Sequence, residues 1–398
     1  MKPTRIRRSA WLLPAVALLS AVAVAAPASA APLPSLPIGP PAYTVHVDRG
    51  GAPGYVFYST GMSAAAVIPA VPGMANPASN VIATKSGRVV WQYTAPRGQG
   101  VANFRMQTLN GRKVLTWWQG SSNGGHGTGH DVIAEAKPGP VRIIKRLGPG
   151  GGLSSDVHEF RLTADGRALI TSYQPMTADL RSIGGPARGT MLDCIASVVD
   201  VNSGRVLARW RASQHVPLTD SESPRGVGPG APFDPFHMNS IALAPSGNLI
   251  ISMRNTATVY EVNPRTGAIV WRLGGKRPTL RAPGVEFAFQ HDAEFVGPHT
   301  ITLFNNNSSG TDTRGTSSAM TIDIDAVHGR ASLVHDRHHP AGVTAFAMGN
   351  VQTLPDGHQF VGWGIAPRIS EFDGAGRLVY DASLPVGSYR AFLEAWNP

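Results

Sequence analysis

Hydrophobic and polar residues alternate in short runs along the chain beyond residue 45, without an amphipathic helical pattern of useful length. Alternation with a period of two is typical of strands that bury one face. Turns that contain Gly separate these runs, so consecutive strands are expected to pair as antiparallel hairpins. The pattern therefore predicts an all-β protein.

Two kinds of strand-turn-strand unit recur, and they alternate along the chain. In the first kind an apolar strand leads through a turn with Gly into a strand that often ends in Trp, at 82–91, 199–210, 260–271 and 370–380. In the second kind a polar residue precedes two strands joined by a turn, at 158–173, 237–254, 291–304 and 350–363. Two hairpins supply four strands, which is the content of one β-propeller blade.

The spacing of these units indicates the number of blades. His237 and His291 are 54 positions apart, close to the repeat of about 40 to 50 residues that propellers show. His158 and His237 are 79 apart because a Gly/Pro-rich stretch, 213–235, is inserted. We predict a six-bladed β-propeller over residues 46–398. A β-sandwich is the alternative, but it does not explain the regular alternation of the two hairpins.

The N-terminus has the features of an export signal. Residues 1–30 contain a basic start, an apolar run that is mostly Ala, and the small residues Ala28-Ser29-Ala30 at a cleavage position. We predict cleavage near Ala30 and Ala31, export, and no stable membrane insertion afterwards. A membrane anchor is the alternative. Residues 31–45 are rich in Pro and are expected to form an extended linker.

Composition narrows the classes of function. Forty-five Gly and 33 Pro among 398 residues argue against coiled coils and helical bundles. Cys194 is the single cysteine, so an intramolecular disulfide is excluded, and we expect it to be a buried apolar side chain. The net charge of +10 falls to +6 without the four basic leader residues, and it forms no Lys/Arg stripe. Nucleic acid is therefore not an expected partner, and a small anion fits as well.

A histidine heads the first strand of the second hairpin type three times, at His158, His237 and His291. The innermost strands of a propeller line its centre, so equivalent positions from different blades converge there. A single histidine at a strand start is usually a turn or capping residue. Its recurrence at matched positions favours a functional site.

Counting residues outward from the turns adds two side chains to this set. The turn at 246–247 places His237 opposite Arg254 or its neighbour, and the same count places Tyr173 opposite His158. Arginine offers a planar fork to two oxygens of a sulfate or phosphate, and histidine can act as a nucleophile or proton donor. This predicts an anionic substrate. Three histidines could also bind zinc, but they come from three blades, so we predict a site without metal or cofactor.

Six motifs keep their order and spacing from about residue 80 onward: 156–160 (DVHEF), 236–240 (FHMNS), 252–260 (SMRNTATVY), 271–277 (WRLGGKR), 289–293 (FQHDA) and 349–357 (GNVQTLPDG). They resemble the bacterial arylsulfotransferase (aryl-sulfate sulfotransferase) family, in a divergent branch of the actinobacterial type. Members of that family are six-bladed propellers. They move a sulfuryl group from an aryl sulfate to a phenol through a sulfated histidine, without a nucleotide sulfate donor.

The resemblance implies a role for each matched residue. His291 falls on the nucleophile, and His237, Arg254 and His158 fall on the residues that bind sulfate and donate a proton. Asn239 and Tyr173 are expected to contact substrate beside His237 and Arg254. The implied reaction is ping-pong, and the implied partners are an aryl sulfate and a phenol.

Other functions remain open at this stage. A non-catalytic exported binding propeller has the same fold, and fold alone implies no activity. The run 266–271 is similar to the tryptophan-docking repeat of quinoprotein dehydrogenases, although those generally have eight blades. A Gly-rich loop with His126, His130 and Asp131 could hold a metal, as a weaker alternative.

Overall fold

The structure is a computed structural model, and it describes residues 43–61, 78–223, 232–309 and 314–397. The predicted export signal and the predicted linker up to residue 42 lie outside these residues. Among the helices that are described, none is long and apolar enough to cross a membrane.

The described residues form 25 strands and four short 3₁₀ helices. In chain order the strands are β1 (Thr44–Asp48), β2 (Tyr55–Ser59), β3 (Ser79–Thr84), β4 (Val89–Thr94), β5 (Gly100–Leu109), β6 (Arg112–Asn123), β7 (His126–Glu135), β8 (Ile143–Leu147), β9 (Phe160–Leu162), β10 (Arg167–Ala178), β11 (Gly189–Asp200), β12 (Val206–Arg211), β13 (Met238–Leu243), β14 (Leu249–Met253), β15 (Thr258–Val262), β16 (Ile269–Gly274), β17 (His291–Phe295), β18 (Thr300–Asn305), β19 (Ser318–Asp325), β20 (Arg330–His338), β21 (Asn350–Thr353), β22 (Gln359–Gly362), β23 (Arg368–Phe372), β24 (Leu378–Ser383) and β25 (Ala391–Glu394). The 3₁₀ helices are Arg181–Ile183, Ala212–Gln214, Leu218–Asp220 and Arg254–Thr256.

The strands form six antiparallel sheets arranged in a ring. Their orders are β25-β2-β3-β4, β5-β6-β7-β8, β9-β10-β11-β12, β13-β14-β15-β16, β17-β18-β19-β20 and β21-β22-β23-β24-β1, and we number them blades 1 to 6. The first strands of neighbouring blades contact one another, as β25 does β5 and β13 does β17, so they form the inner ring. This confirms the predicted six-bladed β-propeller.

Strands from the two ends of the described chain pair with each other and close the ring of blades. Strand β25 supplies the innermost strand of blade 1, next to β2, and β1 adds a fifth, outermost strand to blade 6. The first described strand begins at Thr44, two residues inside the stretch predicted as a linker. Blades 1 and 6 are therefore each built from both ends of the chain.

Apolar side chains fill the spaces between blades. The Trp residues that end the first hairpin type lie there: Trp271 packs with residues of both blade 4 and blade 5, and the Trp91 and Phe104 rings of blades 1 and 2 stack at 5.4 Å between centroids. These tryptophans pack between blades, as expected from the sequence. Cys194 is fully buried, also as expected.

Candidate active site

Three inner strands begin with the same backbone irregularity. The pairing register shifts near Asn103 in β5, near Met238 in β13 and after His291 in β17. At or beside each shift a residue other than Gly has a positive φ: 57° at Asn103, 53° at His237 and 53° at Asp292. Such bulges turn side chains aside from the ladder, and non-glycine residues with this backbone cluster at functional sites.

The predicted histidines lie close together, and two of them, His237 and His291, stand at or beside these bulges. The ring centroids of His158 and His237 are 4.7 Å apart. The Tyr389 ring connects this pair to the third histidine, with its centroid 5.7 Å from His158 and 6.4 Å from His291. Side chains from blades 3, 4 and 5 therefore meet at one end of the inner ring.

Arg254 lies opposite His237, as the turn count predicted, and its backbone N–H donates to the His237 carbonyl oxygen at 2.9 Å. The guanidinium lies 4.9 Å from the centroid of the Phe289 ring, and its Nε donates to Asn255 at 3.1 Å. Its two terminal nitrogens have no hydrogen-bond partner in the described part of the chain. The fork of Arg254 is thus free to bind an anion.

Tyr173 reaches the site through a different register from the one predicted. Strands β9 and β10 pair Phe160 with Ile170, and continuing this count places Ser172, not Tyr173, opposite His158. The predicted pairing was wrong by one residue because the turn count did not fix the register of the short strand β9. The Tyr173 ring nevertheless lies 5.6 Å from that of His158, and its hydroxyl donates to the Met238 carbonyl at 2.8 Å.

His291 is held in one tautomer. Its Nδ1 lies 2.7 Å from Asn306 Oδ1 and 3.0 Å from the Phe289 carbonyl, both acceptors, so Nδ1 carries the proton. The Asn306 amide is oriented by its own Nδ2, which donates to the carbonyls of Ala345 and Met348. The lone pair therefore lies on Nε2, where the Met348 N–H makes a long contact of 3.3 Å.

Burial and the Arg254 charge lower the pKa of His291 well below its ordinary value. A group with a lowered pKa of this kind is neutral at physiological pH. A neutral imidazole whose Nε2 lone pair is held only by the long Met348 contact can act as a nucleophile once a substrate displaces that contact.

Two carboxylates orient the other predicted histidines, and sequence reasoning did not find their roles. Asp156 pairs with Nδ1 of His158, and Asp234 Oδ2 lies 2.5 Å from Nδ1 of His237. A carboxylate at Nδ1 fixes the ring and directs Nε2 outward. Burial and the charge of Arg254 lower the pKa of His237 well below its usual range.

A fourth histidine, His126, completes the cluster. It is the first residue of β7 after the Gly124-Gly125 turn, and its Nε2 lies 3.2 Å from Asp234 Oδ2. The sequence grouped it with His130 and Asp131 as a possible metal set, but the structure groups it with Asp234 and His237 and with Asp156 and His158. A histidine in a Gly-rich turn beside a long hairpin was the only signal available for it.

Asn239 has a contact that differs from the one expected. Its Nδ2, the atom that could donate to a sulfate oxygen, donates to the Gln290 carbonyl at 2.7 Å. Its backbone carbonyl accepts from Arg390 Nη2 at 3.0 Å. In this arrangement Asn239 joins blade 4 to the residue before His291.

A layer of buried charges lies next to the histidines, and sequence reasoning missed it. Both carboxylate oxygens of Glu159 accept from Arg390 Nη1 at 3.0 Å, and Oε1 also accepts from Arg105 at 2.7 Å. Arg390 Nη2 lies 3.3 Å from Asp292, which follows His291 in β17. Burial raises the pKa of Asp292 to about 6. These residues come from the inner strands or strand entries of blades 1, 2, 3 and 5.

Comparison with known proteins decides the family. Residues 105–384 match the family described as Arylsulfotransferase (ASST). The chain belongs to the arylsulfotransferase family. The match covers well over half of the chain and confirms the resemblance found in the motifs.

A solved structure similar to this arylsulfotransferase-family chain supports the fold alone. A protein of unknown function from Bacteroides caccae superposes with a TM-score of 0.50 at 13% identity, over 85% of this chain and 98% of that one. A protein from Lactobacillus plantarum has a TM-score of 0.40 at 10% identity, over 85% and 99% of the two chains. No curated protein matches the chain.

The matched segment of this chain contains all four histidines of the cluster and Arg254. Tyr389, whose ring lies beside His158 and His291, and Arg390, which binds Glu159 and Asp292, lie beyond its end at residue 384. The closing strand β25 and the residues before it therefore complete a site whose remaining parts lie within the family segment.

Proposed function

We propose that the protein transfers a sulfuryl group from an aryl sulfate to a phenol, through a sulfated His291 and without a nucleotide sulfate donor. The observation that carries this proposal is a neutral His291 with its lone pair on Nε2, beside the unpaired fork of Arg254. The reaction is ping-pong and uses neither a metal nor a cofactor. We further propose that it takes place after export directed by residues 1–30.

In the first half of the reaction His291 Nε2 attacks sulfur and forms the N–S bond while the bond from sulfur to the aryl oxygen breaks. Arg254 holds two sulfuryl oxygens, and the contact of His237 Nδ1 with Asp234 orients the His237 ring beside that of His158. The Arg254 cation stabilises charge on the equatorial oxygens, as cationic donors do in phosphoryl transfer. The departing aryl oxygen takes a proton from an imidazolium of the cluster.

In the second half an acceptor phenol enters and returns a proton to the same imidazole. Its oxygen attacks sulfur, the N–S bond breaks, and His291 recovers its lone pair. The phenol rings of Tyr173 and Tyr389, together with Phe289, supply aromatic surface at the site against which an aryl substrate can pack. Small phenols are therefore the expected class of both leaving group and acceptor.

The test is incubation of the purified protein with a chromogenic aryl sulfate, with and without a phenol. We expect faster colour release with the phenol, and a sulfuryl adduct on His291 after quenching with donor alone. His291→Asn should abolish both. The control is His335→Asn, an exposed histidine on β20, which should be as active as the wild type. A His291→Asn variant that still transfers would overturn the proposal.

A further inference from the structure

The position of His126 is not explained by the roles assigned so far. Its ring centroid is 4.4 Å from that of Tyr173, 5.1 Å from His237 and 6.1 Å from His158. It therefore lies within the cluster of rings that would surround a bound aryl sulfate. It reaches this position from the β6–β7 turn of blade 2, whereas the other three histidines stand at strand entries of blades 3, 4 and 5.

One ring nitrogen of His126 is anchored and the other is not. Nε2 lies 3.2 Å from Asp234 Oδ2. Nδ1 is buried and has no hydrogen-bond partner among the described residues. Buried polar atoms are nearly always paired, so one without a partner needs an explanation, such as a ligand that is missing.

We propose that His126 is the general acid and base of the sulfuryl transfer, acting through its free Nδ1. This inference rests on the proposed function and names the imidazole that supplies the proton. In the first half-reaction the N–S bond to His291 forms, the S–O bond breaks, and the Nδ1 proton of the His126 imidazolium passes to the aryl oxygen. In the second half the acceptor phenol gives its proton to neutral His126 Nδ1 as its oxygen attacks sulfur. The proton count is restored after each cycle.

The carboxylates around His126 support a charged form of this ring. Asp234 contacts Nε2, and Asp156 lies beside the adjoining backbone, where its Oδ2 accepts from the Gly127 N–H at 2.6 Å. The charged or titratable groups that face His126 are Asp234 and His237 before β13, Asp156 and His158 before β9, Tyr173 on β10, and Arg254 after β14.

The two histidines that share Asp234 differ in their protonation. Burial lowers the pKa of His126, but the hydrogen bond and charge of Asp234 and the charge of Asp156 outweigh burial, and the net pKa is raised. The pKa of His237 is lowered by burial and by Arg254. His126 therefore holds its second proton more tightly than His237 does.

A metal ion is the competing explanation for the same atoms. The 3.2 Å separation of His126 Nε2 and Asp234 Oδ2 would suit two ligands of one ion. The 2.5 Å separation of His237 Nδ1 and Asp234 Oδ2 is that of a hydrogen bond, and it is too short for two atoms each about 2 Å from a tetrahedral ion. The geometry thus favours protons shared with Asp234.

The test compares His126→Gln with the wild type over aryl sulfates whose phenols differ in acidity. A weakly acidic phenol needs a proton to leave, whereas a nitrophenolate leaves without one. We expect kcat/KM of His126→Gln to fall by about 10² or more for the basic leaving groups and to change little for 4-nitrophenyl sulfate. His130→Gln, the same substitution four residues along β7, is the control and should leave the whole series unchanged.

The pH profile supplies a second readout. Activity of the wild type with basic leaving groups should fall as pH rises through the raised pKa of His126, and His126→Gln should lack this limb. If kcat/KM of His126→Gln fell equally for every leaving group, the acid role of His126 would be wrong. It would also be wrong if only His237→Gln showed a dependence on the leaving group. Activity lost with a chelator and restored by Zn²⁺ would assign the cluster to a metal and also overturn it. If the wild type transfers no sulfuryl group at all, the proposed function itself fails.

Discussion

Four histidines share one small space, and the surroundings of His126, His237 and His291 shift the pKa values of these three rings in different directions. Burial lowers the pKa of both His237 and His291, and the Arg254 charge adds to this effect. His126 is half-buried, and although burial lowers its pKa, its contact with Asp234 reverses the direction. Groups whose environments separate their pKa values in this way are suited to opposite roles as base and acid.

The role of Arg254 can be tested by a change that keeps its charge. Arg254→Lys loses the planar fork, so transition-state stabilisation should fall by about 1.5 to 3 kcal/mol, or ten- to a hundred-fold or more in kcat/KM. Because the two terminal nitrogens of Arg254 bind no described residue, the melting temperature should hardly change. Unchanged kinetics with a lower melting temperature would show that the arginine only supports its hairpin.

Removal of the Arg254 charge should change the titration of His291. In Arg254→Gln a cation that lowers the His291 pKa is lost, so this pKa should rise while remaining below its ordinary value because burial persists. Since His291 must be neutral to attack, the acid limb of kcat/KM should move to higher pH. NMR titration of the His291 Cε1–H checks the shift without turnover, and Arg254→Lys is the control that should not show it.

The site was predictable where its residues recur and was missed where they do not. His158, His237 and His291 occupy matched positions, and the turn count gave Arg254. His126 and Asp234 lie in loops of different length, and only the three-dimensional fold shows that they meet. The same holds for Asn306, which fixes the His291 tautomer from the end of the next strand.

At the scale of elements, the alternation of the two hairpin types could be predicted from the sequence, but the bulges within the strands could not. The pairing of β13 and β14 followed from the turn at 246–247. The bulges at the starts of β5, β13 and β17 were not predicted, because a non-glycine residue with positive φ leaves no mark in a pattern of period two. These bulges place His237 and His291, so the chemistry depends on the part of each strand that departs from the pattern.

The β6–β7 hairpin that carries His126 depends on a close approach at Gly127. A Cβ there would lie 2.6 Å from Trp118 Cζ2 and 2.9 Å from the backbone nitrogen of Val157, and Trp118 is fully buried. Gly127→Ala must therefore displace the backbone next to His126, and we expect a loss of about 1 to 3 kcal/mol in stability. The loss in kcat/KM should be larger for basic leaving groups than for 4-nitrophenyl sulfate.

Gly148→Ala is the control for this prediction, because a Cβ at Gly148 has no neighbour within 4 Å among the described residues. It should leave chemical denaturation and turnover unchanged. If Gly127→Ala were as stable and active as Gly148→Ala, the β6–β7 hairpin would accommodate a Cβ at position 127, and the prediction would be wrong.

At the scale of the whole molecule, the number of blades could be predicted from the sequence. The pairing of the first and last strands that closes the ring of blades could not. Repeat spacing and alternation of the hairpins predict four-stranded units. In the structure β25 pairs with β2 in blade 1 and β1 pairs with β24 in blade 6, and each of these pairs joins segments more than 300 residues apart. No local pattern indicates such a pairing. The charge layer was missed for the same reason, since Arg390 and Glu159 are 231 positions apart.

This layer connects blades through ions rather than apolar contacts. Glu159 and Arg390 are both fully buried, and Arg105 adds a second cation to the same carboxylate. Burial alone would raise the pKa of Glu159, but Arg390, Arg105 and Arg161 outweigh burial and lower it. Loss of one partner from such a group leaves buried charge without compensation, which typically costs about 3 to 5 kcal/mol.

Glu159→Gln should therefore lower the free energy of unfolding by about 3 to 5 kcal/mol in chemical denaturation at neutral pH. The matched control is Glu261→Gln, also buried, whose carboxylate accepts from Ser246 and Asn248 within one blade and should cost only about 1 kcal/mol. A lowered folded pKa gives stability that is present above the unfolded value near 4.5 and is lost as pH falls through the folded pKa. The difference in free energy of unfolding between wild type and Glu159→Gln should accordingly narrow below about pH 4.5. If the two variants lost equal free energy of unfolding at neutral pH, the buried ion pairs would add no stability between blades. The charges near His291 would then act on the candidate active site and not on the stability of the propeller.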